Sequence, residues 1–91
     1  FLFLDADHRY NQFMDDLMNW TPKIKSGGII CGHDCEGYYS KMSPAGQERT
    51  NKGLDIDFDG NYHCGVIKGL FDYFKDDYDI APQTHIWFKE M

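Results

Sequence analysis

The sequence has no apolar run approaching the roughly 20 residues that a helix needs to cross a bilayer. That absence excludes a helical membrane anchor within these 91 residues. The opening Phe1-Leu2-Phe3-Leu4 is too short for a signal-peptide core, and no basic residue precedes it. Basic residues are few and scattered: Lys and Arg total 9 against 15 Asp and Glu, for a net charge of −6. Binding along a phosphate backbone needs Lys and Arg clusters, so nucleic acid is excluded as the main partner. Cysteine is scarce and odd in number. The 3 thiols, Cys31, Cys35 and Cys64, form no disulfide framework, which points to a reducing cytoplasm. Glycine-rich loops of the G-x-G-x-x-G kind are absent, as are internal repeats and low-complexity tracts.

What is present is a globular composition, 42% hydrophobic and 16% aromatic, sized for one small domain. Phe1 to Leu4 is a short continuous apolar run ending in acids, the pattern of a strand buried on both faces of a parallel sheet. A strand already under way at residue 1 suggests a piece of a longer chain. Tyr10, Phe13, Met14, Leu17 and Met18 recur at helical spacing, with Asp15, Asp16 and Asn19 on the other side. Pro22 and Gly27-Gly28 close that pattern. Gly28 to Gly32 reads as a second buried strand. Strand, helix and strand make a βαβ unit with a parallel pair.

Residues 36–61 show little periodicity and read as a long loop or insertion. Val66, Ile67, Leu70, Phe71 and Phe74 then mark a second amphipathic helix. A weak strand over residues 78–81, a turn at Pro82-Gln83 and a strand over residues 84–89 must form an antiparallel hairpin, because a parallel return needs a long crossover. The fold class is therefore α/β, with the order β-α-β, long loop, α, antiparallel β-hairpin.

In open α/β sheets, ligands bind beyond the carboxyl ends of the parallel strands. Here the first strand runs into Asp5-Ala6-Asp7-His8 and the second into His33-Asp34-Cys35. Neighbouring strands lie about 4.8 Å apart, so Asp5 and Asp34 can converge. Two carboxylates and an imidazole can hold a hard divalent cation or serve as a general base and its orienting partner. An Asp at a strand end can equally cap the following helix. Three weaker patterns compete. Asp55-Ile56-Asp57-Phe58-Asp59-Gly60 resembles the start of an EF-hand loop, but its twelfth position is Val66, so a polar turn is expected. Cys31, His33, Cys35, His63 and Cys64 could be gathered as a zinc site, but lack a Cys-x-x-Cys knuckle. Asp76-Asp77 reads as solvated surface.

The segment from Phe1 through Asp5-Ala6-Asp7-His8-Arg9-Tyr10, with Asp16, Trp20 and Pro22, then Gly27-Gly28-Ile29-Ile30 and Gly32-His33-Asp34, resembles class I S-adenosylmethionine-dependent methyltransferases. The similarity is to the branch with D-x-D-H-x-Y after the fourth strand and G-G-x-I-x-x-H-D at the fifth. Gly65-Val66 and the hairpin ending in Thr84-His85-Ile86-Trp87-Phe88-Lys89 fit as well; residues 36 to 61 do not. The resemblance implies the C-terminal half of a Rossmann-like methyltransferase sheet, strands four to seven, the seventh antiparallel, spanning residues 1–91. It implies a fragment of an enzyme that methylates a small-molecule acceptor, with O-methylation expected. Asp5, His8, His33 and Asp34 become the catalytic candidates. Asp5, His33 and Asp34 become ligands for a divalent cation such as magnesium, although His33-Asp34 stands where related metal-dependent enzymes carry Asp-Asn. Asp7, Tyr38 and Tyr39 become acceptor-binding candidates. S-adenosylmethionine would be bound mainly by a missing N-terminal half, leaving the isolated chain inactive. The alternative is a non-catalytic truncated α/β module that self-associates through an exposed sheet edge, or binds a protein partner.

Overall fold

A computed structural model describes residues 1–4 and 7–91. Strand β1 (Leu2–Leu4) leads to helix α1 (Tyr10–Trp20), which tightens into a 3-10 turn at Thr21–Lys23 where Pro22 sits at its start. Strand β2 (Ile29–Gly32) follows. Helix α2 (Pro44–Lys52), helix α3 (Cys64–Phe74) and the short strands β3 (Asp79–Ile80) and β4 (Trp87–Glu90) complete the chain. The sheet order is β1-β2-β4-β3. Strands β1 and β2 are parallel, with Leu2 opposite Ile30 and Leu4 opposite Gly32. Strand β4 runs antiparallel to both β2 and β3. The expected βαβ unit and closing hairpin are therefore both present.

The pairing register sorts the sheet into two faces, because side chains alternate along each strand. Leu2, Leu4, Ile30 and Trp87 share one face. Phe13 and Leu17 of α1 and Val66, Ile67 and Leu70 of α3 pack there with Ile30 and Trp87, and most of these side chains are fully buried. The apolar spacing of each helix produces this stripe. On the other face Phe3 is 42% exposed and Phe88 half-buried. Burial of β1 on both faces is thus not observed: its Leu side is covered and its Phe side is not.

Two glycines let the helices approach. A side chain at Gly65 would meet the backbone of His8 and Tyr10, and one at Gly69 would meet the Phe13 ring. The start of α3 therefore crosses directly over the turn that carries His8.

Two departures from the sequence expectation have local causes. Residues 36–61 contain a helix, α2, started by the Ser43 hydroxyl, which accepts from the Gly46 amide, and by Pro44 in the first turn. The helix is largely polar, so periodicity did not mark it; Thr50 is its buried residue. The last strand begins at Trp87 rather than residue 84. Gln83 adopts a positive φ of 62°, and the Thr84 hydroxyl donates to the Ala81 carbonyl while accepting the Ile86 amide. Those bonds hold residues 81–86 as a turn.

Candidate functional site

The carboxyl ends of β1 and β2 do converge. His8 lies in the turn after β1, and its Nε2 is 2.8 Å from Asp34 Oδ2, just beyond β2. His33 Nδ1 is 2.7 Å from the same Asp34 oxygen. Asp34 takes a left-handed conformation, φ 68°, which Asp tolerates better than most residues. That backbone turn lets His33 and Asp34 face each other, and the following Cys35 amide is anchored on the His85 carbonyl. His33 also stands edge-on to Phe3, with ring centroids 5.4 Å apart. Of the four catalytic candidates, His8, His33 and Asp34 are thus brought together. Asp5 lies outside the described residues.

Three further residues join them. The α1 entry amide of Tyr10 donates to the Leu54 carbonyl at 2.8 Å, which draws the turn after α2 against the β1 end. Asp57, on that turn, reaches His8 Nδ1 at 2.8 Å. The hydrogen bond from His8 is the main cause that lowers the Asp57 carboxyl below its ordinary range. His63, the residue before α3, stacks beside His8 with ring centroids 4.6 Å apart. Its ring and its backbone amide are both held by Glu36, at 2.6 and 2.7 Å. Phe58 stacks on the far side of His63 at 4.5 Å. Sequence reasoning placed Asp57 in a polar turn and His63 in a cysteine-bearing group; Glu36 carried no signal at all.

The acceptor candidates go elsewhere. Asp7 accepts the Arg9 amide at 2.9 Å and faces the Arg9 guanidinium, making a local turn before α1. The Tyr38 hydroxyl accepts the Ile80 amide and donates to the Tyr78 carbonyl, so it fastens β3. Tyr39 packs on Phe71 and exchanges hydrogen bonds with Asn51. None of the three touches the histidine cluster in the contacts observed.

The aspartate-rich segment is a polar turn, as expected. Asp59 Oδ1 accepts the Asn61 and Tyr62 amides at 2.8 and 2.6 Å, and Oδ2 meets Arg49 Nε at 2.6 Å. Burial pushes the Asp59 carboxyl up, but these donors outweigh it and hold it at about 2. An unfolded Asp titrates near 3.9. The folded carboxyl is the stronger acid, so its contribution is complete above about pH 4 and fades as pH falls through about 2. Asp59→Asn should therefore lower the urea midpoint at pH 7, and its gap from wild type should close as melts are repeated toward pH 2. A pH-independent gap would disprove the assignment.

Among the described residues, no group with metal-ligand spacing includes a thiol. Burial pushes Cys35 up to about 12 and Cys64 up to about 11, so both stay protonated. Among the described residues, the groups with metal-ligand spacing are His8, His33 and Asp34, and His8, Asp57 and His63. Both are rich in imidazole nitrogen, whereas magnesium demands oxygen ligands. The described donors therefore do not fit a magnesium-like ion. The glycine pair is a turn, as expected. Gly27 and Gly28 form a turn at the amino end of β2, with the Gly27 amide on the Met91 carbonyl, at the opposite end of the strand from the cluster. A cleft lined by Glu48, Arg49, Lys52, Ile56 and Asp59 also opens beside α2, without the histidines among its lining residues.

No helix among the described residues is long and apolar enough to cross a membrane. No curated protein and no solved structure matches the chain. A family model described as a methyltransferase domain matches residues 1–35, the stretch that runs from β1 through α1 and β2 to His33-Asp34-Cys35, and this match supports a methyltransferase domain.

Proposed function

We propose that this chain is the acceptor side of an S-adenosylmethionine-dependent methyltransferase that methylates an oxygen of a small molecule. The observation that carries the reading is the 2.8 Å contact between His8 and Asp34 across the two strand ends, inside or at the edge of the matched segment. The mixed sheet, with a single antiparallel strand near the C terminus, supports strands four to seven of a Rossmann-like sheet. S-adenosylmethionine would supply the methyl group, held by a companion half.

Methyl transfer is an in-line displacement, so the protein chiefly aligns the acceptor and takes its proton. His8 is the base of this reading. Asp34 orients the imidazole through Nε2 and stabilises it once protonated. His33 holds Asp34 from the other side. Asp5 belongs to the proposed site by motif, and Asp7, Tyr38 and Tyr39 remain acceptor contacts in the reading only through side chains that turn from their present partners. The test is calorimetric titration of the isolated chain and of a polypeptide carrying a glycine-rich strand-to-helix half. The longer polypeptide should bind S-adenosylmethionine and the isolated chain should not. Tight binding by the isolated chain would refute the divided site.

The edge of β1 favours a second reading. Its neighbour on one side is β2, Phe1 is 87% exposed and Phe3 42%. Such an apolar edge suits pairing with a second copy or with a protein partner. Size-exclusion chromatography separates the readings, since a self-associating module elutes as a concentration-dependent dimer or larger species.

A further inference from the structure

We infer that His8, Asp57 and His63 form a binding site for a zinc-like divalent transition ion, with Asp34 and Glu36 as the carboxylates that orient the two imidazoles. One ligand atom from each of the three lies within 4.8 Å of the others. Tetrahedral zinc with bonds of about 2.0–2.1 Å places its ligand atoms roughly 3.3 Å apart. The His8–Asp57 contact of 2.8 Å and the 4.8 Å limit bracket that separation, so the side chains close on an ion with shifts of about 1 Å or so.

The orienting carboxylates set this cluster apart from a chance gathering. A metal-bound imidazole almost always donates its other ring N–H to a carboxylate, carbonyl or water, which fixes the tautomer. Both histidines are prepared in that way. His63 Nδ1 is engaged by Glu36 at 2.6 Å, which leaves the lone pair on Nε2. His8 meets a carboxylate at each ring nitrogen, Asp34 at Nε2 and Asp57 at Nδ1, each at 2.8 Å; with Asp34 as the orienting partner, Nδ1 is the nitrogen that would turn its lone pair to an ion once its proton is displaced. A divalent ion would take the place of the proton that His8 Nδ1 now shares with Asp57. Three carboxylates around two imidazoles supply the negative charge that a divalent ion would neutralise. The Glu36–His63 pair is largely buried, with side chains 11% and 15% exposed, and Phe58 covers the His63 ring. Asp57 is 57% exposed, so the ion would keep a solvent-facing position for water or an oxygen ligand. Two nitrogens, one carboxylate oxygen and an open position suit zinc, cobalt or ferrous iron.

His8 Nδ1 cannot hold an ion and accept a proton at once, so the ion-loaded form would lack the His8 base; the test reads metal alone. Cobalt and zinc are titrated into the full chain, following the visible ligand-field bands of cobalt and their loss to zinc. One equivalent of cobalt should bind, zinc should displace it, and magnesium in large excess should not. Asp57→Asn, on a side chain that is 57% exposed, should weaken binding at least tenfold. Glu36→Gln should weaken it by about 10- to 100-fold, the usual effect of losing an orienting partner. His85→Ala, at an exposed imidazole that is in neither ligand group, should leave it unchanged. The inference is overturned if no stoichiometric cobalt binds. It is overturned equally if Asp57→Asn leaves binding unchanged, or if magnesium displaces cobalt at equal concentration.

Discussion

Replacing Trp87 by alanine should cost about 3–5 kcal/mol of folding stability, the usual range for deleting a buried large aromatic. Trp87 is fully buried and opens β4, the strand that joins β2 to β3. Its indole lies over Gly32, where even one added carbon would meet the ring nitrogen and the Leu4 carbonyl. Its other contact is edge-on to Phe13 of α1, with perpendicular rings and centroids 6.0 Å apart. One side chain therefore couples β2, β4 and α1. Truncation leaves a cavity that Gly32 cannot fill and that Ile30 and Leu70, already fully buried, have little freedom to invade. A domain of this size has only about 5–15 kcal/mol in total. Chemical denaturation by urea, followed by circular dichroism, should thus place Trp87→Ala near or beyond the edge of stable folding. A loss under about 1 kcal/mol would show that the indole is not the keystone described. Trp87→Phe should recover much of the loss, because it keeps the edge-on contact with Phe13.

Much of this core was legible from spacing alone. Phe13, Leu17, Ile67 and Leu70 fall at helical intervals, and Ile30 sits in an apolar run, so burial follows from pattern. The uncovered Phe3 was not legible, because a run such as Phe1 to Leu4 describes what a strand can bury and not what is there to bury it. Helix α2 escaped because its cap, Ser43-Pro44, is local and its packing residues are few. The candidate site divides in the same way. His8, His33 and Asp34 follow from strand ends, a rule of topology. Asp57, Glu36 and His63 reach the cluster through long-range events: the Tyr10 amide captures Leu54, and Glu36 captures the start of α3 from 27 residues away. No spacing rule encodes such contacts. The cysteines mislead for a related reason. Their proximity to His33 and His63 in sequence suggests ligation, while burial keeps Cys35 and Cys64 as protonated thiols.

Within the methyl-transfer reading, His8→Ala should lower the turnover of the polypeptide that carries both halves by about 10²–10⁴-fold, the span that a positioned general base contributes. The acceptor's KM should change little, since His8 acts on the proton rather than on binding. His8 bridges Asp34 and Asp57, and the second contact is to an exposed carboxylate, so the fold should survive the loss. Removing it also leaves those two carboxylates without their shared partner, which predicts a small loss of stability that salt reduces. Chemical rescue is the sharper measurement: added imidazole should restore part of the His8→Ala turnover and leave wild type unchanged. Retention of a third or more of wild-type turnover would remove His8 from the chemistry. A proportional fall in turnover and folded fraction would make its role structural. Asp57→Asn provides the comparison that keeps this apart from the metal site: it should weaken the ion site while leaving the His8–Asp34 pair, and with it most of the turnover, in place. If Asp57→Asn abolishes turnover as completely as His8→Ala, turnover needs the Asp57 side of the cluster, and His8 does not act as an independent base.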